Sequence, residues 1–165
     1  MSEIAILVIE DEREVLEALV RDLEKFQEFF RIEPAENAGD ASEVISELGD
    51  EDISVGLILA DHLMPGMSGV DFLVSLHDDA VAGDAKKVLV TAQAGLEETV
   101  KAVNDADLDH YIRKPWSEEE LHKTVVRYLT DYILEHSDNP LEFIPILDGE
   151  RILSEYSRSQ GLSPS

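Results

Sequence analysis

Apolar and polar positions follow one another along this chain in blocks that predict strands and helices in turn. Ile4–Ile9 is an unbroken apolar run, which is typical of a parallel strand covered on both faces. Three acidic residues follow, and apolar residues then recur at helical spacing from position 15 to position 26. This order of strand and then helix returns along the chain. It predicts five strands, over residues 4–9, 30–33, 53–60, 88–90 and 110–112.

Capping patterns and prolines give the predicted boundaries. Pro34 is expected to limit the length of the second strand. A helix is also expected near residues 96–106, and a long helix is expected to close the domain near His136. Three pairs of residues have the spacing of a cap and its partner in the first helical turn: Asp40 with Glu43, Ser68 with Asp71, and Ser117 with Glu120.

Five strand-and-helix units in series predict an α/β domain with a parallel sheet and helices on both faces. We expect this domain over residues 1–136 and a C-terminal extension over residues 137–165. Two prolines interrupt the extension, and Ile152, Leu153 and Tyr156 predict one short helix in it. Its Gly/Ser/Pro-rich end is expected to be frayed.

Composition narrows the classes of function. The 44% hydrophobic content is enough for a packed core. Asp and Glu number 37 against 13 Lys and Arg, and the net charge of −24 argues against binding nucleic acid or an anionic membrane. The absence of cysteine excludes disulfides, thiolate zinc sites and cysteine nucleophiles. No signal peptide or membrane span is predicted, so we expect a cytoplasmic protein.

Polar residues stand where the predicted strands end. The first strand is followed by Glu10 and Asp11, the third by Asp61, the fourth ends at Thr91, and the fifth leads to Lys114. The carboxyl ends of parallel strands lie at one edge of the sheet, where ligands bind. The sequence therefore predicts that these side chains share one cleft.

The residue types in this predicted cleft suit magnesium-dependent phosphoryl chemistry. Carboxylates and a backbone carbonyl form an oxygen-rich site suited to Mg²⁺. A carboxylate can attack phosphorus as a nucleophile, and a lysine ammonium and a threonine hydroxyl can stabilise phosphoryl oxygens. Each residue alone has a simpler explanation, such as an acid at a helix N-terminus or a solvated surface lysine. Their coincidence at strand ends favours function.

Four segments, in this order, resemble the receiver domain of bacterial two-component response regulators, the CheY-like fold: ILVIEDE, LILADHLMPGMSG, VLVTA and YIRKP. The resemblance covers roughly residues 4–136. It implies a doubly wound, flavodoxin-like sheet of strand order 2-1-3-4-5. It also implies a signalling switch that accepts a phosphoryl group from a histidine kinase or phosphotransfer protein, rather than an enzyme acting on a separate substrate.

The resemblance also implies roles for individual residues. Asp61 is the phosphoacceptor, and Lys114, joined to Pro115 by a cis bond, pairs with the phosphoryl group. The implied Mg²⁺ site comprises Glu10 acting through water, Asp11, Asp61 and the backbone carbonyl of Leu63. Thr91 and Tyr111 are the implied switch residues, which change the surface formed by the fourth helix, fifth strand and fifth helix. Gln93, like Leu63, is expected to tune phosphoryl lifetime. His62 is expected to point out of its loop, and Trp116 to pack as an apolar anchor.

Two rival functions compete with the switch. A magnesium-dependent phosphatase with an aspartate nucleophile typically carries a second acid two residues after the first, where this chain has Leu63. A receiver-like scaffold that works without phosphorylation would be marked by loss of Asp61 or Lys114, and both are present.

The extension leaves two hypotheses open. It leads to an output domain absent from this chain, or it pairs with a second subunit as a homodimer. Either way, its apolar side chains need burial on their own receiver or on a partner. These are Leu141, Phe143, Ile144, Ile146 and Leu147.

Overall fold

The structure is a computed structural model that describes residues 3–92 and 104–161. Five strands form one parallel sheet in the order β2-β1-β3-β4-β5, as the resemblance implies. The predicted class of fold is confirmed. The strands are β1 (Ile4–Ile9), β2 (Arg31–Ala35), β3 (Ser54–Ala60), β4 (Lys86–Thr91) and β5 (His110–Arg113).

Helices cover both faces of this sheet. Short 3-10 helices occupy Glu24–Phe26 and Pro140–Phe143. The helix predicted near residues 96–106 falls largely outside the described residues. The α-helices whose bounds are defined are α1 (Arg13–Asp22), α2 (Ala38–Asp50), α3 (Gly69–Ser75), α4 (Glu118–His136) and α5 (Gly149–Ser159).

Two of the three predicted caps are confirmed. The hydroxyl of Ser68 accepts from the backbone N–H of Asp71, and that of Ser117 accepts from the N–H of Glu120. The expectation that Asp40 opens α2 is wrong, because the Asn37 side chain caps this helix by accepting from the N–H of Asp40 at 2.8 Å.

The second strand also differs from its prediction. It continues through Pro34 to Ala35, and Pro34 is paired in register with Val8. Proline has no N–H to donate, so in a central strand, which is paired on both sides, it would remove a hydrogen bond of the sheet. Pro34 is tolerated because β2 is the edge of the sheet, where one side of the strand has no partner.

Two apolar cores lie on opposite faces of the sheet. Leu16 and Leu19 of α1 pack with Leu121, Val125 and Leu129 of α4 on one face. Side chains of α2 and α3 fill the other face. Strand β1 lies inside the sheet, between β2 and β3, and all six of its residues are buried, as the unbroken apolar run predicts.

The extension packs on the first of these cores. Phe143, Leu147 and Ile152 are buried in it, and the Phe143 ring stacks on Phe30 with centroids 5.4 Å apart. Leu141, Ile144 and Ile146 lie partly buried against the same core. The apolar set of the extension is therefore covered by the chain itself.

Polar contacts fix the extension to α4. The Arg151 guanidinium lies 2.6 Å from an Asp131 carboxylate oxygen, and the backbone N–H of Asp148 donates to the Thr130 hydroxyl at 3.2 Å. Helix α4 ends at His136, as predicted. The division into a receiver of residues 1–136 and an extension of residues 137–165 stays a prediction.

Among the described residues, none of the helices combines the length and the apolar character needed to cross a bilayer.

Candidate functional site

The order of the strands creates the site. The chain leaves β1 for β2 on one side and later returns to β3 on the other, so a crevice opens beyond the carboxyl ends of β1 and β3. Backbone hydrogen bonds hold the residues just past these ends in place. The N–H of Asp61 donates to Ile9, and the N–H of Glu10 donates to Ala35, at 2.9 and 3.0 Å.

Glycines shape the loop that carries Asp61 into α3. Gly66 has a φ of +82°, a conformation that side chains with a Cβ rarely adopt. A Cβ on Gly69 would collide with the backbone carbonyl of Asp61, and the N–H of Gly69 donates to the His62 carbonyl at 2.9 Å. The loop therefore closes tightly behind Asp61.

Three carboxylates meet in the crevice. One oxygen each from Glu10, Asp11 and Asp61 lie within 4.8 Å of one another. Glu10 is fully buried and Asp61 nearly so, at 6% exposed, whereas Asp11 is exposed. Clustered, partly desolvated carboxylates repel one another, and a nearby positive charge stabilises their ionised forms.

Lys114 supplies one positive charge. Its Nζ lies 2.5 Å from Oε1 of Glu10 and 3.4 Å from Oδ2 of Asp61. The N–H of Lys114 donates to the Thr91 carbonyl, which ties β5 to β4 at this edge, and the bond to Pro115 is cis as expected. Burial lowers the pKa of the Lys114 ammonium, but the hydrogen bond to Glu10 and the Asp61 charge outweigh burial, and the net pKa is raised.

The balance at Glu10 runs the other way. Burial raises the pKa of the Glu10 carboxyl from 4.5 to about 7, with Lys114 opposing the shift and Asp61 adding to it. Its second oxygen, Oε2, is buried and has no hydrogen-bond partner within the described part of the chain. One lysine therefore neither balances the charge of the three carboxylates nor provides a hydrogen bond to each buried oxygen.

A hard divalent cation fits what remains. Mg²⁺ binds through one or two carboxylates and keeps several waters, and such a water can donate to the orphan Glu10 oxygen. Three carboxylate oxygens within 4.8 Å and one exposed side, at Asp11, are compatible with that donor set. The residues present fit a magnesium ion.

The other predicted site residues lie around this cluster. Thr91, 1% exposed, ends β4 next to Lys114. Leu63 lies in the loop after Asp61 with its side chain 49% exposed. Tyr111 lies on β5, is 39% exposed and is paired with Leu89 of β4. Gln93 lies outside the described residues.

Two neighbours of the site have burial or contacts that the sequence did not predict. His62 is buried, not directed out of its loop as predicted. Trp116 is partly buried against the core, as expected for an apolar anchor, and its Nε1–H also donates to the Asp22 carboxylate at 2.9 Å. The sequence gives no signal for that bond, because the two residues are 94 positions apart.

Comparisons with known proteins find relatives of this chain. The family model for the response regulator receiver domain matches residues 6–126. The hydrogenase transcriptional regulatory protein HoxA of Bradyrhizobium diazoefficiens is 32% identical over 130 residues, which are 79% of this chain and 25% of that protein. The phosphate regulon transcriptional regulatory protein PhoB of Escherichia coli is 32% identical over 133 residues, 79% of this chain and 55% of PhoB.

Solved structures show the same fold. A CheY-like receiver domain from Methanospirillum hungatei superposes with a TM-score of 0.69 at 29% identity, covering 82% of this chain and all of that one. The receiver domain of an HD domain-containing protein from Pseudomonas fluorescens gives a TM-score of 0.71 at 21% identity, with coverages of 82% and 93%. The chain spans between a quarter and about half of the length of the two curated relatives.

Proposed function

Because this chain belongs to the response regulator receiver family, we propose that it is a phosphorylation-dependent signalling switch whose phosphoacceptor is Asp61. The observation that carries the proposal is the contact of Lys114 with two clustered carboxylates, at 2.5 Å from Glu10 and 3.4 Å from Asp61. An ammonium placed there is ready to pair with a phosphoryl group on Asp61.

The proposed step is phosphoryl transfer from a phosphohistidine of a histidine kinase or phosphotransfer protein. An Asp61 carboxylate oxygen attacks phosphorus, the P–N bond breaks, and its electron pair stays on the imidazole nitrogen. The product is an aspartyl phosphate, which water later hydrolyses. Lys114 moves from the Asp61 carboxylate to a phosphoryl oxygen, so its positive charge follows the negative charge that develops.

The residues proposed to hold Mg²⁺ are Asp11 and Asp61 directly, with the backbone carbonyl of Leu63, and Glu10 through water. The bound ion would neutralise charge on the transferring phosphoryl oxygens. Without it, the exposed Asp11 carboxylate would repel an incoming phosphoryl group.

Thr91 and Tyr111 are proposed to transmit the change. The Thr91 hydroxyl would hydrogen-bond the phosphoryl group, and the half-exposed Tyr111 ring would then turn inward from its position on β5. Phosphorylation would thus change the charge at one site and shift the equilibrium between two conformations of these switch residues. Output would follow from the altered surface around β5 and α4.

The proposal also covers the location of the protein, its extension and its oligomeric state. The kinase and the output module act in the cytoplasm. Residues 137–165 form an extension, of which the described part, residues 137–161, stays docked on the receiver. A homodimer remains a prediction. The apolar side chains of the extension do not require one, because Phe143 and Leu147 are buried on their own chain.

Intact-mass spectrometry tests this function. The protein is incubated with Mg²⁺ and acetyl phosphate, beside Asp61→Ala and a magnesium-free sample. One phosphoryl adduct on the wild type that is absent from both controls is the expected result. An adduct that persists in folded Asp61→Ala would contradict the assignment of the acceptor.

A further inference from the structure

A basic pocket lies on the side of the molecule formed by α4, the 3-10 helix after α1 and the extension. Its volume is about 340 Å³. The apolar side chain of Val126 contributes to its lining, and Asp148 is the one acid there. The cationic or titratable side chains that line it are Lys25, His122, Lys123, Arg127 and Arg151.

The sign of this pocket is opposite to that of the protein. Acids outnumber Lys and Arg by almost three to one in the chain as a whole. Around the basic pocket, four of the 13 Lys and Arg residues meet one lining acid. Such a local reversal of charge favours an acidic partner.

Neighbouring acids neutralise part of this charge. Lys123 pairs with Glu119 one turn earlier on α4, and Arg151 pairs with Asp131, at 3.0 and 2.6 Å. The Nε2 of His122 lies 2.5 Å from the backbone carbonyl of Asp22.

Two cations of the pocket lack such partners. The Nζ of Lys25 lies 5.2 Å above the ring of Phe26, and the guanidinium of Arg127 lies 5.1 Å from the ring of Tyr128. Neither Lys25 nor Arg127 forms an ion pair with any acid in the described ranges. Both are exposed. In so acidic a protein, these two charges are available to a ligand.

We propose that the basic pocket binds an acidic segment of a partner protein, with carboxylates facing Lys25 and Arg127 and an apolar side chain on Val126. Nucleic acid fits less well, because the net charge of −24 repels a polyanion that extends beyond the pocket. A compact phosphate fits less well, because Asp148 borders the pocket. A peptide can avoid that acid and use the apolar lining.

The extension takes part in this surface. Arg151 and Asp148 come from it, and α5 is held in place by the contacts to Asp131 and Thr130. The proposed role of the docked extension is to complete a binding surface that the receiver elements form only in part. This inference goes beyond the proposed function and does not require phosphorylation of Asp61.

The test uses the full chain and a fluorescein-labelled helical peptide with one face of Glu and an adjacent row of Leu. The comparison peptide has Gln in place of Glu. Binding is followed by fluorescence anisotropy, and ¹⁵N amide shifts identify the contact surface. We expect the acidic peptide to shift amides at the basic pocket and to bind at least tenfold more tightly than the Gln peptide. Added salt should weaken the binding.

The key variant is Lys25→Glu with Arg127→Glu, and its matched control is Arg13→Glu with Arg158→Glu, two exposed arginines outside the pocket. We expect the first pair to weaken binding at least tenfold and the second less than twofold. The milder Lys25→Gln with Arg127→Gln variant serves if the charge reversal does not fold, as judged by circular dichroism.

Several outcomes would overturn the proposal. They are no binding of the acidic peptide, equal binding of the Gln peptide, or equal losses in both variant pairs. Saturation by inorganic phosphate at the same amides would assign the pocket to a small anion, and preferential binding of a DNA duplex would assign it to nucleic acid. Self-association of the unliganded chain that the Lys25/Arg127 variant abolishes would assign it to a second copy.

Discussion

Replacing Phe143 by alanine tests whether the extension belongs to the folded core. Phe143 is 6% exposed, stacks on Phe30 at a centroid distance of 5.4 Å, and lies 6.4 Å from the ring of Phe29. Truncating a buried phenylalanine typically lowers the free energy of unfolding by about 3–5 kcal/mol. Against a total of about 5–15 kcal/mol, this is a large loss. For a domain of this size it lowers Tm by roughly 6–20 °C.

Urea denaturation followed by circular dichroism measures this loss. Leu153→Ala is the matched control, because Leu153 belongs to the same extension but is 51% exposed, and we expect its change to stay within about 0.5 kcal/mol. Phe143→Leu keeps part of the apolar volume and should fall between the two. If Phe143→Ala loses no more than Leu153→Ala, the extension does not contribute to the core and this account of its packing is refuted.

Three further predictions concern the site and its supports. Lys114→Met should slow phosphorylation by acetyl phosphate by roughly 10²–10³-fold, since it removes the charge that pairs with the phosphoryl group, and an unchanged intact-mass time course would contradict this. Trp116→Phe keeps an aromatic ring but removes the hydrogen bond to Asp22, and should lower the free energy of unfolding by about 1.5–3 kcal/mol in urea. Burial lowers the pKa of Lys87, so the unfolded chain binds its proton more tightly than the folded one. Wild-type stability should therefore rise relative to Lys87→Met as pH climbs towards the unfolded pKa of about 10.4, and a falling difference would show the sign to be wrong.

The part of the fold that local pattern determines could be predicted. The apolar run of β1, the Ser68 and Ser117 caps and the polar residues after the strands depend on neighbours in sequence and on the geometry of a parallel sheet. That geometry is why Glu10 and Asp61 could be expected together although they are 51 positions apart.

What the sequence did not reveal depends on contacts between distant segments. Asp40 has the spacing of a cap, yet Asn37 three residues earlier takes that role and Asp40 instead accepts from the N–H of Glu36. A proline usually interrupts a central strand. Pro34 lies in an edge strand, and β2 continues through it to Ala35. The burial of Phe143 depends on the ring of Phe30, more than 100 positions away, which no local pattern indicates.

The basic pocket is a similar case. Lys25, Arg127 and Arg151 come from three separate segments; Lys25 and Arg151 each directly follow a glutamate, and Arg127 lies four residues before Asp131. The packing of α4, α5 and the 3-10 helix Glu24–Phe26 on one apolar core brings them together. Charge counted along the chain gives −24 and no indication of a positive surface.

The central claim is that Asp61 is the residue that carries the phosphoryl group. The most direct test is to treat the protein with Mg²⁺ and acetyl phosphate, reduce it with borohydride, and map the peptides by mass spectrometry. Reduction converts an aspartyl phosphate to homoserine. The account predicts homoserine at position 61 and at no other aspartate. Homoserine at Asp11 or elsewhere, with Asp61 unmodified in a phosphorylated sample, would contradict it.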